Sequence, residues 1–198
     1  MPACVLGVSG SLRNGSASAA ALRHALAAAQ RSGAQTRLVD LREVELPMFR
    51  PGHNFPEYAQ VRQEVHWADA FILSTPDYHG SMSGALKNFL DYFRVEFAGK
   101  LFGYICASHE KGLTAMDQMR TAVRQCYGWS LPYGVSLSGG DDGAAAAMEV
   151  EERQRLEMLG RDMAVYGGLL REQFHRDLAG ERADTFAAFY RESSHEGT

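Results

Sequence analysis

The first stretch of the chain suited to a specific chemistry is a serine-rich loop, Ser9-Gly10-Ser11-Leu12-Arg13-Asn14-Gly15-Ser16. It joins an apolar run, Ala3–Val8, to an alanine-rich stretch with helical spacing, Ala17–Arg31. A loop that enters a helix gathers backbone N–H groups and the positive end of the helix dipole at one point, which favours an anion. Four hydroxyl side chains and one arginine suit a terminal phosphate monoester. The loop therefore favours a mononucleotide. The hydroxyls belong to Ser9, Ser11, Ser16 and Ser18, and the guanidinium to Arg13.

Two other phosphate-binding loops fit this stretch less well. A triphosphate loop requires GxxxxGK[ST], and the lysine and the hydroxyl residue that follows it are both missing, which disfavours ATP and GTP. The dinucleotide fingerprint GxGxxG does not match the spacing of Gly7, Gly10 and Gly15. Asp40 resembles the ribose-binding acid of that fingerprint, but it lies 25 residues beyond Gly15.

Helix capping is a simpler explanation for the serines alone. Ser16 or Ser18 can cap the amino terminus of the following helix, and serine-rich loops often do no more than that. Arg13 and the position of the loop after a buried strand favour phosphate binding over capping.

A second informative segment, Thr75–Asn88, reads TPDYHGSMSGALKN. Pro76 ends a buried strand, Gly80 provides a flexible point, and Ser83 is placed to cap the next helix. The segment combines backbone donors, an aromatic residue and small residues. Such a loop can lie along a planar heterocycle and form hydrogen bonds with its edge.

Alternating strands and helices must position these loops. The predicted strands are Ala3–Val8, Thr36–Leu41, Ala70–Ser74, Leu101–Ala107 and, more weakly, Tyr133–Leu137. The predicted helices are Ala17–Arg31, Glu57–Ala68, Ser83–Phe93, Thr114–Tyr127 and Ala144–Arg171, with the last loosened at its end by Gly167 and Gly168. Apolar strands joined by helix-length crossovers predict a five-stranded parallel sheet with helices on both faces, a doubly wound, three-layer α/β domain. Ligands of such sheets bind beyond the carboxyl ends of the strands.

The two motifs together resemble the NADPH-dependent FMN reductase family of flavodoxin-like proteins. The marks of that family are a GSLRxxS phosphate loop, here Gly10–Ser16, and a P[ED]Y-x-x-S-x-[SP]-G-x-L-K-N segment, here Pro76–Asn88. The resemblance implies a flavodoxin-like three-layer sandwich that binds FMN at the carboxyl edge of its sheet. It assigns the FMN phosphate to Ser9, Ser11, Leu12, Arg13, Ser16 and Ser18. It assigns the isoalloxazine ring, largely through backbone atoms, to Pro76, Asp77, Tyr78, His79, Gly80 and Ser81. Asp77 stands where many relatives carry glutamate.

The loop after the fourth predicted strand, Ser108–Gly112, stands where relatives often have a glycine-rich turn against the other edge of the flavin. Ser108, His109 and Gly112 are assigned to the cofactor site on that ground. His109 and Lys111 are candidates to stabilise negative charge near N1 and O2 of the reduced flavin. A charged turn that simply faces solvent is an equally supported alternative.

The resemblance implies hydride transfer from NADPH or NADH to N5 of FMN, and then delivery of electrons to a small-molecule acceptor. Free flavin, a quinone, an azo compound and a metal oxyanion all remain open. No catalytic acid, base or nucleophile of the protein is required, and the sequence has neither a G-x-S-x-G nor an HExxH motif. The alternatives are a flavodoxin-type electron carrier and a flavin-binding regulatory module, both without NAD(P)H turnover.

A homodimer or homotetramer is also implied, because a second subunit commonly completes the flavin pocket in this family. Aromatic residues on the third predicted helix and at its end are expected to serve as interface as well as core. They are Phe89, Tyr92, Phe93 and Phe97.

Composition narrows the remaining classes of function. The chain has 198 residues, of which 20 are basic and 24 acidic, for a formal charge of −4, which disfavours nucleic acid and anionic membrane surfaces as partners. That charge is also mild for a dedicated acidic electron carrier. No apolar stretch is long enough to cross a membrane and no leader is apparent, so a cytoplasmic protein is expected.

The remaining predictions concern the three cysteines and the carboxyl-terminal region. Cys4, Cys106 and Cys126 are widely separated, which predicts neither a disulfide framework nor a metal site. A single domain is expected over residues 1–175, followed by a tail over residues 176–198. The tail carries Phe186, Phe189 and Tyr190 on a short helix before a frayed polar end.

Overall fold

The computed structural model describes residues 1–53, 55–138, 148–188 and 190. Its strands are β1 (Cys4–Ser9), β2 (Gln35–Asp40), β3 (Ala70–Pro76), β4 (Leu101–Ala107), β5 (Trp129–Ser130) and β6 (Val135–Leu137). Its helices are α1 (Ala17–Arg31), α2 (Pro56–Trp67), α3 (Gly84–Asp91), α4 (Leu113–Gln125) and α5 (Val150–Ala179), with a short 3-10 turn at Val95–Phe97. Four strands and four helices thus lie close to their predicted positions.

The strands form one parallel sheet in the order β2-β1-β3-β4, and both β5 and β6 pair with β4. The two short strands share the fifth position, because β5 pairs with the start of β4 and β6 with its end. The predicted fifth strand, Tyr133–Leu137, is therefore shorter than expected and has a second piece before it. Pro132 lies between the pieces and has no N–H group for a strand ladder.

Helices cover both faces of the sheet, as predicted. Alternate residues of each strand point to opposite faces, so neighbouring residues of β3 enter different cores. Ile72 packs in the core beneath α1 and α5, whereas Phe71 and Leu73 pack in the core beneath α2, α3 and α4. The three-layer sandwich with a flavodoxin-like order of parallel strands is confirmed.

The last helix differs from its prediction. It runs unbroken through Gly167 and Gly168 to Ala179, so the expected loosening at these glycines is wrong. A Cβ at Gly167 would lie 2.9 Å from Cβ of Ala70, and one at Gly160 would overlap the backbone of α1. The missing side chains let α5 lie close to its neighbours, which outweighs the low helix propensity of glycine. Residues 144–147 of the predicted helix lie outside the described residues.

The predicted boundary at residue 175 lies within α5, so the first four residues of the predicted tail are helical. Farther along, residues 186–188 are helical, and the ring of Phe186 lies 5.8 Å from that of Tyr127 and 6.2 Å from that of Phe174. The hydroxyl of Tyr190 donates to the carbonyl of Val95 at 2.6 Å. This part of the tail packs against its own chain. Phe189 and residues 191–198 lie outside the described residues.

The aromatic cluster was expected to serve as core and as interface, and its place in the core is confirmed. Phe89, Phe93 and Phe97 are at most 2% exposed and Tyr92 is 9% exposed, and their rings pack against one another. Their proposed contribution to a subunit interface is therefore wrong. The helix is short, so nearly its whole apolar face is used within one subunit. The predicted homodimer or homotetramer is untested by this finding.

Candidate functional site at the carboxyl edge of the sheet

The loops after β1 and β3 are held side by side by hydrogen bonds through one glycine. The N–H of Gly10 donates to the carbonyl of Ser74 at 2.8 Å, and the hydroxyl of Ser83 donates to the carbonyl of Gly10 at 2.7 Å. A Cβ at Gly10 would lie 2.8 Å from Cβ of Leu86, so a larger residue would push the loops apart. The serine-rich loop is thus docked on the start of α3.

Ser16 performs the capping role considered above. Its hydroxyl accepts a hydrogen bond from the N–H of Ala19 at 3.2 Å and lies 2.9 Å from the hydroxyl of Ser18. No acidic residue occupies the first turn of α1, so the chain's own carboxylates do not neutralise the positive end of that helix at its first turn. Capping and anion binding are therefore compatible at this helix terminus.

The remaining residues of the loop divide into buried and exposed groups. Ser9, Ser11 and Ser18 are buried, whereas Leu12 and Arg13 are exposed. The hydroxyl of Ser11 accepts from the N–H of Arg13 at 3.3 Å. The carbonyl of Ser18 accepts from the hydroxyl of Ser74 at 2.7 Å, which fixes the first turn of α1 to β3. Arg13 is thus the cation of the loop that a dissolved anion reaches directly.

Asp40 has a structural role rather than that of a ribose-binding acid. It is 6% exposed, accepts a hydrogen bond from the N–H of Arg42 at 3.1 Å, and lies 3.5 Å from the guanidinium of Arg23. The guanidinium of Arg42 also donates to the side chain of Asn14 in the serine-rich loop. Asp40 and Arg42 therefore support the tip of this loop from the neighbouring strand.

The segment Thr75–Asn88, which the resemblance assigns to the flavin ring, forms a tight hairpin at Tyr78–Ser81. The N–H of Tyr78 donates to the carbonyl of Ser81 at 2.9 Å, and the N–H of Ser81 donates back at 3.1 Å. The central residues, His79 and Gly80, have φ values of 59° and 75°, as in a type I′ turn. A Cβ at Gly80 would meet no atom within 4 Å, so open space lies beside the turn. The flexible point expected at Gly80 is instead a defined turn.

Asp77 connects this hairpin to the loop after β4. One carboxylate oxygen accepts from the N–H of Gly80 at 2.8 Å, and the other accepts from the hydroxyl of Ser108 at 2.8 Å. The N–H of Asp77 donates to the carbonyl of Ala107 at 2.8 Å. The structure therefore brings all three predicted loops together at one edge of the sheet.

The loop after β4 places its charged side chains in solvent. His109 and Lys111 are exposed, and Gly112 is buried with a φ of 58°. A Cβ at Gly112 would lie 2.5 Å from Sγ of Cys106, which explains a glycine at the start of α4. The roles proposed for His109 and Lys111 toward a reduced flavin stay predictions.

Asn88, the last residue of the motif Pro76–Asn88, is also an anchoring residue. Its amide accepts from the N–H of Phe49 at 2.8 Å and donates to the carbonyl of Pro47 at 2.9 Å. The hydroxyl of Tyr92 donates to the same carbonyl at 2.8 Å. A buried amide on an otherwise apolar helix face was the available signal. Lys87, in contrast, pairs with Asp91, four residues farther along α3, at 2.6 Å.

The cysteines show no sign of chemistry. Cys106 is buried, and burial raises the pKa of its thiol to about 12, which keeps it neutral near pH 7. Cys4 and Cys126 are also free thiols. In the described ranges no cluster of three or more His, Cys, Asp or Glu residues is arranged to hold a metal ion. The helices in those ranges include none with the length and apolar character needed to span a membrane.

The donor groups at this edge fit FMN. A phosphate monoester requires several hydrogen-bond donors and positive potential, and the start of α1 offers hydroxyls, a helix terminus without acid in its first turn, and Arg13. A planar heterocycle requires backbone donors beside open space, and the hairpin at Gly80 has that space. The two subsites lie on adjacent parallel strands, β1 and β3.

Comparisons with known proteins agree with this assignment. A profile of the NADPH-dependent FMN reductase family matches residues 4–143. The chain is 35% identical over 121 residues to an NAD(P)H-dependent FMN reductase of Pseudomonas aeruginosa, across 58% of this chain and 64% of that relative. It is 33% identical over 108 residues to an NADPH azoreductase of a Bacillus species, across 52% of this chain and 61% of that relative. Each match thus spans less than two thirds of the relative.

Solved structures show the same fold. The apo form of the NADH:FMN oxidoreductase EMOB superposes with a TM-score of 0.70 at 20% identity, covering 83% of this chain and 89% of that one. The profile covers well over half of the chain, and the three loops of the candidate site lie within it. The chain belongs to the NADPH-dependent FMN reductase family.

Proposed function

We propose that this protein is an NAD(P)H-dependent FMN reductase that binds FMN at the carboxyl edge of β1, β3 and β4. One observation carries the proposal. The serine-rich loop, which is suited to a phosphate, follows β1, and the hairpin Tyr78–Ser81, with open space beside it, follows the adjacent strand β3. Family membership and the name of the Pseudomonas relative support it. When bound, FMN supplies a hydride acceptor that passes electrons to a second substrate.

The chain's own residues bind and orient the cofactor. Arg13, the hydroxyls of the serine-rich loop and the amino terminus of α1 hold the phosphate. The hairpin Tyr78–Ser81 borders the ring with backbone groups, and Ser108, His109 and Gly112 border its other edge. We assign no proton transfer to a side chain, because hydride transfer requires only close stacking of donor and acceptor and an open ring face.

The electron acceptor is a small molecule. The azoreductase relative supports an azo compound as one candidate. Free flavin, quinones and metal oxyanions are further candidates, to be separated by steady-state assays with each acceptor. A cytoplasmic location is part of this proposal, supported by three free cysteines that suit a reducing compartment.

We also propose that the active form is a homodimer or homotetramer, with a second subunit completing the flavin pocket. The buried aromatic cluster of Phe89, Tyr92, Phe93 and Phe97 has little surface left for that interface. Light scattering of the FMN-loaded protein tests the proposal, and a mass of one subunit at micromolar concentration contradicts it.

Anaerobic stopped-flow mixing of the FMN-loaded protein with NADPH, and separately with NADH, tests the reaction. We expect the flavin absorbance near its visible maximum to bleach with at least one donor. Bound FMN that bleaches with neither donor would rule out the reductase and favour an electron carrier or a binding module. Protein that does not bind FMN at all would contradict the cofactor assignment itself.

A further inference from the structure

We propose that Asp77 is a positioning residue that braces the ring-side hairpin against the loop after β4, and that its charge tunes the bound flavin. This inference rests on the proposed FMN site. It concerns the carboxylate of Asp77 and its two neutral donors, the N–H of Gly80 and the hydroxyl of Ser108.

The brace compensates for an unfavourable turn conformation. His79 has a φ of 59°, in the left-handed region that residues with a Cβ adopt at a cost of about 1 kcal/mol. The carboxylate of Asp77 accepts a hydrogen bond from the N–H of Gly80, the residue after His79. This bond favours the turn over extended conformations of the segment. A hydrogen bond to an ionised acceptor is stronger than one to a neutral group. Asp77 is therefore expected to hold the turn in its left-handed form.

The same carboxylate links the hairpin that follows β3 to the loop that follows β4. Ser108 is 4% exposed, and its hydroxyl donates to Asp77 while accepting from the N–H of Glu110 at 3.0 Å. The hairpin and the loop after β4 thus share one partly buried chain of hydrogen bonds. Displacing the carboxylate would release both loops, which are the two that border the flavin ring in the proposed site.

A second contact holds the hairpin from α4. The hydroxyl of Ser81 donates to the side chain of Gln118 at 2.6 Å, and the Gln118 amide lies 3.4 Å from the carbonyl of Gly80. Asp77 fixes the N–H of Gly80 and Gln118 approaches its carbonyl. The orientation of the whole turn is thereby set by side chains that need not touch the flavin.

The two hydrogen-bond partners described for the Asp77 side chain carry no positive charge. Its field reaches the neighbouring strand, since the charge of Asp77 contributes, after burial, to the raised pKa of Cys106. A fixed negative charge beside a flavin opposes the addition of electrons and lowers the reduction potential.

Three variants separate these two effects. Asp77→Asn keeps an acceptor oxygen for Gly80 and removes the charge, Asp77→Ala removes both, and Ser108→Ala removes one donor. Asp117→Asn is the matched control, because Asp117 is an exposed aspartate on α4 that pairs with Arg120. Circular dichroism verifies that each variant is folded.

Hydrogen exchange of the Gly80 amide, measured without FMN, tests the brace alone. We expect exchange to be at least about tenfold faster in Asp77→Ala, since a hydrogen bond to a charged group is worth about 1.5–3 kcal/mol and about 1.4 kcal/mol corresponds to a factor of ten. Exchange should be only slightly faster than in the parent in Asp77→Asn, which keeps a neutral acceptor. Ser108→Ala should fall between them. Equal exchange in the parent and in Asp77→Ala would overturn the brace, whether or not the protein binds FMN.

FMN titration and the midpoint potential of the bound flavin test the consequence. We expect Asp77→Ala to weaken FMN about tenfold, and Asp77→Asn to raise the potential at nearly parental affinity. A potential that is unchanged in Asp77→Asn overturns the tuning. Failure of the parent to bind FMN would instead overturn the proposed function and leave the exchange result standing.

Discussion

The two ends of the parallel sheet hold their polar groups in different ways. At the carboxyl end, buried serine hydroxyls, a helix amino terminus and an open turn converge, and Arg13 reaches solvent from the same loop. At the amino end, Asp69 accepts from Arg171 at 2.9 Å and from the N–H of Cys4 at 2.8 Å. Arg171 also donates to the carbonyls of Met1 and Pro2 at 2.8 and 3.0 Å.

The amino end is therefore closed by its own charges. Arg171 lies on α5, and its contacts join that helix to the start of the chain and to the residue before β3. Lys100, just before β4, donates to the carbonyl of Val65 at 2.7 Å. Charges that are already matched leave little for a ligand to gain. We infer that variants at the amino end change stability, whereas variants at the carboxyl end change FMN affinity.

The largest effect is expected for Arg171→Ala. It leaves Asp69, whose side chain is 15% exposed, without its cation, and breaking such a pair costs about 3 kcal/mol or more. Chemical denaturation should show this loss in the free energy of unfolding, with FMN affinity unchanged in the folded protein. Arg176→Ala, an exposed arginine farther along α5, is the control and should lie within about 0.5 kcal/mol of the parent. Weaker FMN binding by folded Arg171→Ala would contradict this division of stability and FMN affinity between the two ends of the sheet.

Lys100→Met should change how stability depends on pH. Burial lowers the pKa of Lys100 from 10.5 to about 8, so between these values the unfolded chain binds more protons than the folded one. Stability of the parent relative to the variant should then rise with pH, by about 2 kcal/mol between pH 7 and pH 10. Urea denaturation of both proteins at several pH values measures this. A constant difference would show that Lys100 is not desolvated in the folded protein.

Arg13→Ala should give the converse result at the carboxyl end. Losing a charge-assisted hydrogen bond to phosphate costs about 1.5–3 kcal/mol, or roughly 10- to 100-fold in FMN affinity. Arg13 is exposed, so the free energy of unfolding should barely change. Fluorescence titration with FMN measures the affinity, and riboflavin, which has no phosphate, should bind both proteins alike. Unchanged FMN affinity would remove the phosphate assignment.

The smallest effect is expected for Ser16→Ala, which alone should act on both properties. The loss of the cap costs about 1 kcal/mol of stability, and the same hydroxyl belongs to the phosphate loop. Ser32→Ala, at the exposed far end of α1, is the matched control and should change neither property. If Ser16→Ala affects stability only, then Ser16 is a cap and the phosphate is held by other residues.

The sequence predicted those parts of the fold that depend on local pattern. The runs Leu101–Ala107 and Ala17–Arg31 match their strand and helix exactly, because one is continuously apolar and the other has a clear helical face. The unbroken course of α5 was not predictable in this way. Gly167 and Gly168 have low helix propensity, and only the close approach of Ala70 on β3 shows why glycine occurs at position 167.

The candidate site, like the fold, was predictable from the sequence only in part. Loop composition predicted which segments meet at the sheet edge, since parallel strands end together. The bond between Asp77 and Ser108 joins residues 31 positions apart, and that between Ser81 and Gln118 joins residues 37 apart. Such pairs carry no local signal in one sequence. The burial of Phe93 and Phe97 likewise depends on tertiary packing, which is why they were mistaken for interface residues.

Hydrogen exchange across the whole chain, with and without FMN, tests the central claim most directly. We predict that FMN protects amides in residues 10–18, 77–83 and 108–112, at the carboxyl edge of the sheet. Amides near Asp69 and Lys100, at the amino end, should exchange as in the free protein apart from any uniform stabilisation by the ligand. Protection centred on the amino end, or none at the serine-rich loop, would contradict the account.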